Sequence, residues 1–276
     1  MDRDELFLCE KLAIRVAIEA GAMIKTASGR HKEVTQKDSI VDLVTETDKS
    51  VESYIFNEFR RHFPKHRFIG EESRGKDERG LTPEPTWIID PIDGTMNFIH
   101  NFPYTCVSIG LTVNREPVIG VVYNPFLDKL YTARKGMGAK CNGAPIHVRQ
   151  NCQSLSDALM IGDPNPAKRD RDHQRAALQN LEAIVKSCKS VRCMGTAALQ
   201  LCYVAEGCCD GNWGYGIHVW DIVAAGLIVQ EAGGVVLDPE GGPIDWMNRR
   251  YLVACSQVIG QQISQTLRVH LDFGKD

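Results

Sequence analysis

The sequence predicts a layered α/β protein packed as one unit over residues 1–276, with an N-terminal half to about residue 148 and a C-terminal half from about residue 149. Three observations predict this. Apolar, extended segments crowd between residues 67 and 134 and are joined by short turns. Strand and helix patterns alternate from Ser156 onward, and no stretch rich in proline, serine or charge separates the two halves.

The elements follow in order. Leu6, Cys9, Leu12, Ala13, Val16, Ala17, Ala20 and Ile24 recur at helical spacing, so the opening segment is expected to be an amphipathic helix ending near Gly29. A second helix is expected from Asp48 to about His62, with Val51, Ile55 and Phe59 on one face, Thr47 or Asp48 as its cap and Pro64 as its stop. Strands then read as RFIG, TWIID, CVSIGLTV, VIGVVY and KLYTAR. Asn114–Pro117 and Asn124–Asp128 carry turn residues, which predicts an antiparallel meander. GMGAKCNGAP reads as a glycine-rich loop. Beyond it come a strand at SDALMIG, a helix over Lys168–Lys186, a strand at SVRCMG and a buried helix at GTAALQLCYVAEG. The segment CDGNW, a helix at VWDIVAAGLIVQEAGG, strands at VVLD and YLVACS and a last helix complete the chain.

Composition bounds the function. The chain has 276 residues and a net charge of -3, enough for a sizeable core and without the basic excess that nucleic acid demands. Its opening residues mix acids and lysines into the apolar spacing, unlike a secretory signal, and no run approaches the roughly 20 apolar residues of a spanning helix. A cytoplasmic location is expected. Ten cysteines contain no Cys-x-x-Cys pair, so they read as small core residues in a reducing compartment, the vicinal Cys208–Cys209 being the exception. His62 and His66 flank Pro64, which breaks the geometry of a metal-binding pair, and read as surface residues. Trp220 reads as packing, and the cluster KRDRD near Lys168 as the solvated start of a helix.

The chemistry concentrates in WIIDPIDGTMNF, Trp87–Phe98. A strand that apolar should not end in two carboxylates unless a cation meets them. Glu71 and Glu72 follow RFIG in the same way, and Asp221 opens a helix apolar almost all round. If these ends converge, five carboxylates share one cleft and cannot all ionise unaided. Such an oxygen-only set suits Mg²⁺, Mn²⁺ or Ca²⁺. Asp93 is expected to cap a short helix and leave the amides of Gly94 and Thr95 as an anion site. Metal ions beside a phosphate-sized pocket describe phosphoryl transfer.

These residues resemble the inositol monophosphatases, within the superfamily of lithium-sensitive, Mg²⁺-dependent sugar phosphatases. The resemblance runs through KDSIVDLVTETDKSVE, FIGEES, WIIDPIDGTMNF, GVVYNP, YTARKGMGAKCNG, GIHVWD and EAGGVVLDPEGGP, in family order. It implies a five-layer αβαβα sandwich, usually a homodimer, that hydrolyses inositol phosphate monoesters with two or three Mg²⁺ ions per subunit, and it makes the N-terminal half the metal-binding one. Glu71, Asp90 and the carbonyl of Ile92 are then ligands of a first ion. Asp90, Asp93 and Asp221 are ligands of a second, with Glu71 sharing a third through water. Asp48 and Thr95, with Glu71, are the catalytic set that orients the attacking water. Gly94 and Thr95 hold phosphate; Gly195, Thr196 and Ala197 line the sugar pocket, which Asp221 also faces; Lys37 occupies a loop lysine near the metals.

Elementary chemistry agrees with that division of labour. Paired ions roughly 3.5–4 Å apart need a bridging carboxylate, for which Asp90 is the candidate, and a bound Mg²⁺ makes its water a nucleophile near neutral pH. No histidine lies in the acidic motifs, so acid and base work falls to the metals. One departure concerns substrate. Gly214 stands where the family commonly carries a glutamate that hydrogen-bonds inositol hydroxyls, so related esters such as galactose 1-phosphate stay open, and Gly214→Glu is expected to sharpen preference for the inositol ester. A bisphosphatase of the same superfamily and a non-enzymatic metal-binding scaffold are the remaining readings; an intact acidic set argues against the scaffold.

Overall fold

The computed structural model describes residues 1–29, 34–36, 43–73, 80–163 and 171–276. Lys37 and residues 168–170 of the basic cluster lie outside them. Helix α1 (Arg3–Ala27) buries Cys9, Leu12, Ala13, Val16, Ala17, Ala20 and Ile24 along one stripe, and Asp2 caps it by accepting the Glu5 N–H at 2.8 Å. Strands β1 (Val34–Gln36) and β2 (Leu43–Thr45), which the sequence pattern did not announce, pair antiparallel and lead into α2 (Glu46–His62). That helix starts two residues before Asp48. Thr45 is its N-cap, and Asp48 sits one turn in, accepting the Thr45 N–H at 2.8 Å to close a capping box.

The larger sheet runs β3 (Arg67–Gly70), β4 (Thr86–Asp93), β5 (Cys106–Val113), β6 (Glu116–Asn124), β7 (Lys129–Arg134), β8 (Ala139–Cys141) and β9 (Ala144–Ile146) in spatial order. The meander expected from the turn residues starts at β4, because β3 pairs parallel to it. The expected glycine-rich loop is in part a hairpin: β8 and β9 pair around Asn142 and Gly143, both at positive φ, as an Asn-Gly turn requires. The second sheet has the order β11 (Ser190–Arg192), β10 (Leu159–Ile161), β12 (Gly211–Tyr215), β14 (Arg250–Ala254) and β13 (Val235–Leu237). A 3₁₀ turn over Leu155–Asp157 takes the front of the expected SDALMIG strand.

Helices α4 (Arg171–Ser187), α5 (Ala197–Ala205), α6 (Val219–Glu231) and α7 (Gln257–Thr266) belong to the second half, and the short α3 (Thr95–Ile99) follows β4. The layers are α1 and α2, the seven-stranded sheet, α5 and α6, the five-stranded sheet, then α4 and α7: an αβαβα sandwich. The central layer explains why α6 is apolar all round, since Val219, Trp220 and Ile222 through Val229 are all buried between the sheets. It approaches β5 and β6 closely. A Cβ at Gly110 would lie 2.6 Å from Val223 Cγ1, and one at Gly120 would lie 3.0 Å from the Ala224 carbonyl carbon and nearer still to its oxygen.

All ten cysteines are free. Six are buried, but Cys193 is exposed, so the core reading fails there; of the excepted vicinal pair, Cys208 is exposed and Cys209 buried. His62 is exposed as expected, whereas His66 is half-buried, stacked on Phe63, and its Nδ1 accepts the Trp87 Nε1–H at 3.1 Å. Trp220 is packed, stacked on His218 with ring centroids 4.6 Å apart. Among the described residues no helix is long and apolar enough to cross a membrane.

Candidate active site

Two acids three residues apart on a regular strand would face opposite sides of a sheet. At the end of β4 the pairing with β5 shifts between Asp90 and Asp93, where Pro91 has no N–H to donate. The Ile92 N–H turns back to Asp90 Oδ1 at 3.0 Å, and the irregularity brings both carboxylates to one side. Asp221 joins them from the first turn of α6, where its Oδ2 accepts the His218 N–H at 2.6 Å. One oxygen from each of Asp90, Asp93 and Asp221 lies within 4.8 Å of the others.

Glu71 enters from the end of β3, where its N–H donates to the Ile89 carbonyl at 3.2 Å. Burial, then the charges of Glu71, Asp93 and Asp221, hold the Asp90 carboxyl well above the usual carboxylate range. Burial, then Asp93 and Glu71, do the same to Asp221. Asp93 is pushed up by burial to about 7, an effect that two backbone amides partly offset. Four acids thus feel one another in a desolvated cleft. Glu72 is placed differently: its N–H donates to Glu52 Oε2 at 2.8 Å, tying the β3 end to α2.

The two amides that soften Asp93 correct an expectation. Asp93 does not cap α3, whose N-cap is Gly94 at φ 90 with no side-chain bond. It accepts instead from Ala197 N–H at 3.3 Å and Ala198 N–H at 2.7 Å, and so caps α5 across the cleft. Gly94 is required twice over, by its left-handed backbone and because a Cβ there would lie 2.6 Å from Thr196 Cγ2. Thr95 opens α3 directly after Gly94 and the acids of β4.

Thr95 Oγ1 lies 3.2 Å from Asp48 Oδ1 and 3.1 Å from the Ile92 carbonyl, so its single proton is shared between two acceptors. Asp48 is fully buried, and burial raises its carboxyl to about 6 against the pull of Thr45, with Glu71 adding to the rise. In the segment expected to line the sugar pocket, the Gly195 N–H is taken by Asp163 Oδ2 at 2.9 Å and the Ala197 N–H by Asp93, while the buried Thr196 hydroxyl has no partner among the described residues.

Two residues of this region escaped the sequence reading. Asp163 is one: burial raises its carboxyl, and Gln200 and Gly195 hydrogen-bond it. The signal was present, since Asp163-Pro164 closes a strand as Asp90-Pro91 does. The other is Tyr251, on β14 opposite Gly214. A single Gly214→Glu change, expected to restore a contact, meets that ring: a Cβ at Gly214 would lie 2.9 Å from Tyr251 Cζ. The cysteines also hold one surprise. Cys152, Asp210 and Cys255 come within 4.8 Å of one another, but Asp210 Oδ2 is already answered by Arg149 at 3.0 Å and the Leu159 N–H at 2.7 Å, and burial pushes the Cys255 thiol up to about 12. Thiols so far from ionising make a poor metal site.

The Inositol monophosphatase family profile matches residues 8–271. Inositol monophosphatase 2 of Rattus norvegicus is 42% identical over 270 residues, covering 97% of this chain and 92% of its own. Inositol monophosphatase 1 of the same organism is 42% identical over 263 residues, covering 95% and 94%. The solved inositol monophosphatase of Anabaena (Nostoc) sp. PCC 7120 superposes with a TM-score of 0.80 at 33% identity, covering 96% of each chain.

Proposed function

Because this chain belongs to the inositol monophosphatase family, we propose that it hydrolyses inositol monophosphate to inositol and inorganic phosphate, as a Mg²⁺-dependent phosphoric monoester hydrolase. The observation that carries the reading is the meeting of Asp90, Asp93 and Asp221 within 4.8 Å beside the Thr95–Asp48 pair. The donor set fits a hard divalent cation. It is all oxygen, buried, and made of carboxylates whose hold on their protons is raised by burial and mutual repulsion, which positive charge would relieve.

Glu71, Asp90 and the Ile92 carbonyl would hold one ion, Asp90, Asp93 and Asp221 would hold another, and Glu71 would serve a third. Bound there, Mg²⁺ would acidify a water and neutralise charge developing on the leaving oxygen. The chain's own residues handle the proton. With its hydrogen donated to Asp48 Oδ1, Thr95 Oγ1 presents a lone pair to the incoming water, and Glu71 fixes that water from the other side. As the water proton moves to Thr95 Oγ1, the threonine proton moves to Asp48, whose carboxyl, raised to about 6, can hold it. The Gly94 and Thr95 amides bind the phosphate oxygens. Gly195, Thr196, Ala197 and Asp221 border the alcohol side.

The same reading makes residues 1–276 one catalytic unit, working as a homodimer in the cytoplasm, a location that ten unbridged cysteines favour. Phosphate release from myo-inositol 1-phosphate, galactose 1-phosphate and fructose 1,6-bisphosphate, with and without Mg²⁺, tests it. The expected result is Mg²⁺-dependent turnover led by the inositol ester. Turnover led by another ester would overturn the substrate, and turnover indifferent to the metal would overturn the mechanism.

A further inference from the structure

Gly214 and Tyr251 are direct cross-strand partners in the β12–β14 pair, so their side-chain positions lie on one face of the sheet. Asn212, two residues before Gly214, shares that face. Its amide donates to Gln200 Oε1 of α5 at 2.7 Å, which makes this the face turned toward the central helices and the acidic cleft. Gln200 in turn bonds Asp163. A side chain at position 214 would therefore point toward the cleft, and the structure puts something else in its place.

That something is the Tyr251 phenol. A Cβ built on Gly214 would be 2.9 Å from Tyr251 Cζ and 3.0 Å from its hydroxyl oxygen, closer than real side chains come. Tyr251 is 2% exposed, and no described residue hydrogen-bonds its hydroxyl. A buried phenol usually finds a partner. Burial, then Asp163, Asp221 and Asp93, hold the phenol well above its ordinary range, so it stays protonated and within the field of two of the clustered carboxylates. Glycine at 214 and tyrosine at 251 are one arrangement: the first vacates the volume that the second fills.

We infer that Tyr251 is a specificity-determining residue, whose hydroxyl, seated over Gly214 at the edge of the acidic cleft, hydrogen-bonds a ring hydroxyl of a polyol monophosphate. The inference rests on the monophosphatase reading and adds to it the group that reads the alcohol. A phenol differs from a carboxylate at this place in kind. It both donates and accepts, and it brings no further negative charge to a cleft already crowded with acids.

The test compares wild type with Tyr251→Phe on myo-inositol 1-phosphate and on 4-nitrophenyl phosphate, an ester with no alcohol hydroxyls, in saturating Mg²⁺. Losing one neutral hydrogen bond should lower kcat/KM for the inositol ester relative to the aryl ester by about three- to tenfold, mainly through KM. An unchanged ratio would reduce Tyr251 to packing and overturn the inference. Stability supplies an independent readout. Gly214→Glu should lower Tm, and adding Tyr251→Ala should restore part of the loss; a Gly214→Glu protein as stable as wild type would refute the shared volume. Wild type that releases phosphate from neither ester would overturn the monophosphatase reading and Tyr251's role with it.

Discussion

Asp93 shows how one side chain can serve two ends. Its carboxylate faces Asp90 and Asp221, and it also receives the Ala197 and Ala198 amides at 3.3 and 2.7 Å. Replacing it by asparagine removes a charge from the ligand set without changing the shape of the side chain. It also reaches the fold, because the asparagine Nδ2 donates and cannot accept, so only one of the two α5 amides keeps its acceptor. Asp93→Asn is expected to cut turnover about a hundredfold or more, since even outer partners of metal ligands are worth 10–100-fold. It is also expected to trade relief of carboxylate repulsion against one lost bond at the start of α5. Steady-state phosphate release and a thermal melt measure the two effects separately; turnover within tenfold of wild type would remove Asp93 from the ligand set. The acids themselves were legible because charged residues at the ends of apolar strands are costly and so conspicuous. The asparagine consequence was not, because Ala198 lies 105 residues away.

At the scale of elements, the position of Asp221 depends on how closely α6 lies on the large sheet. Gly110 and Gly120 allow it, sitting against Val223 and Ala224 just one turn along from the acid. Gly120→Ala is expected to destabilise by about 1–3 kcal/mol, the usual range for overpacking, and to push α6 away from β6. Chemical denaturation would check the first effect, and Mg²⁺ affinity the second; an alanine that raises stability would show that the helix has room to spare. Helices and strands were mostly visible in the periodicity of apolar residues. The β1–β2 pair and the β8–β9 hairpin were not, since three-residue strands carry too few positions for a period to show. The start of α2 moved for a related reason. Thr45, Thr47 and Asp48 are all good caps by chemistry, and only the observed Thr45–Asp48 box selects among them.

At the scale of the molecule, the acidic cleft links stability to pH and metal. The carboxyls of Asp48 and Asp93 are raised to about 6 and about 7 in the folded protein, and those of Asp90 and Asp221 are raised as well. A raised acid keeps its proton in the folded state where the unfolded chain has already released it. Metal-free protein is therefore expected to lose stability as pH rises from about 4 through about 7. A divalent cation competes with those protons, so the Tm gain from Mg²⁺ should be larger at pH 7.5 than at pH 5. Melts at both pH values, with Mg²⁺ and with a chelator, test this; equal gains would mean that the cation does not bind these carboxylates.

The sequence by itself determined the order of most elements, the burial of α6, the identity of the acids and the family, because these follow from local periodicity, local cost and motif. Only the tertiary structure decided that a break in the β4–β5 register brings Asp90 and Asp93 to one side, that Asp93 caps α5 and not α3, and that Tyr251 stands in the space Gly214 leaves. Each is a contact between chain segments far apart in sequence. Packing creates such contacts only when the layers close, so no local pattern of residues announces them.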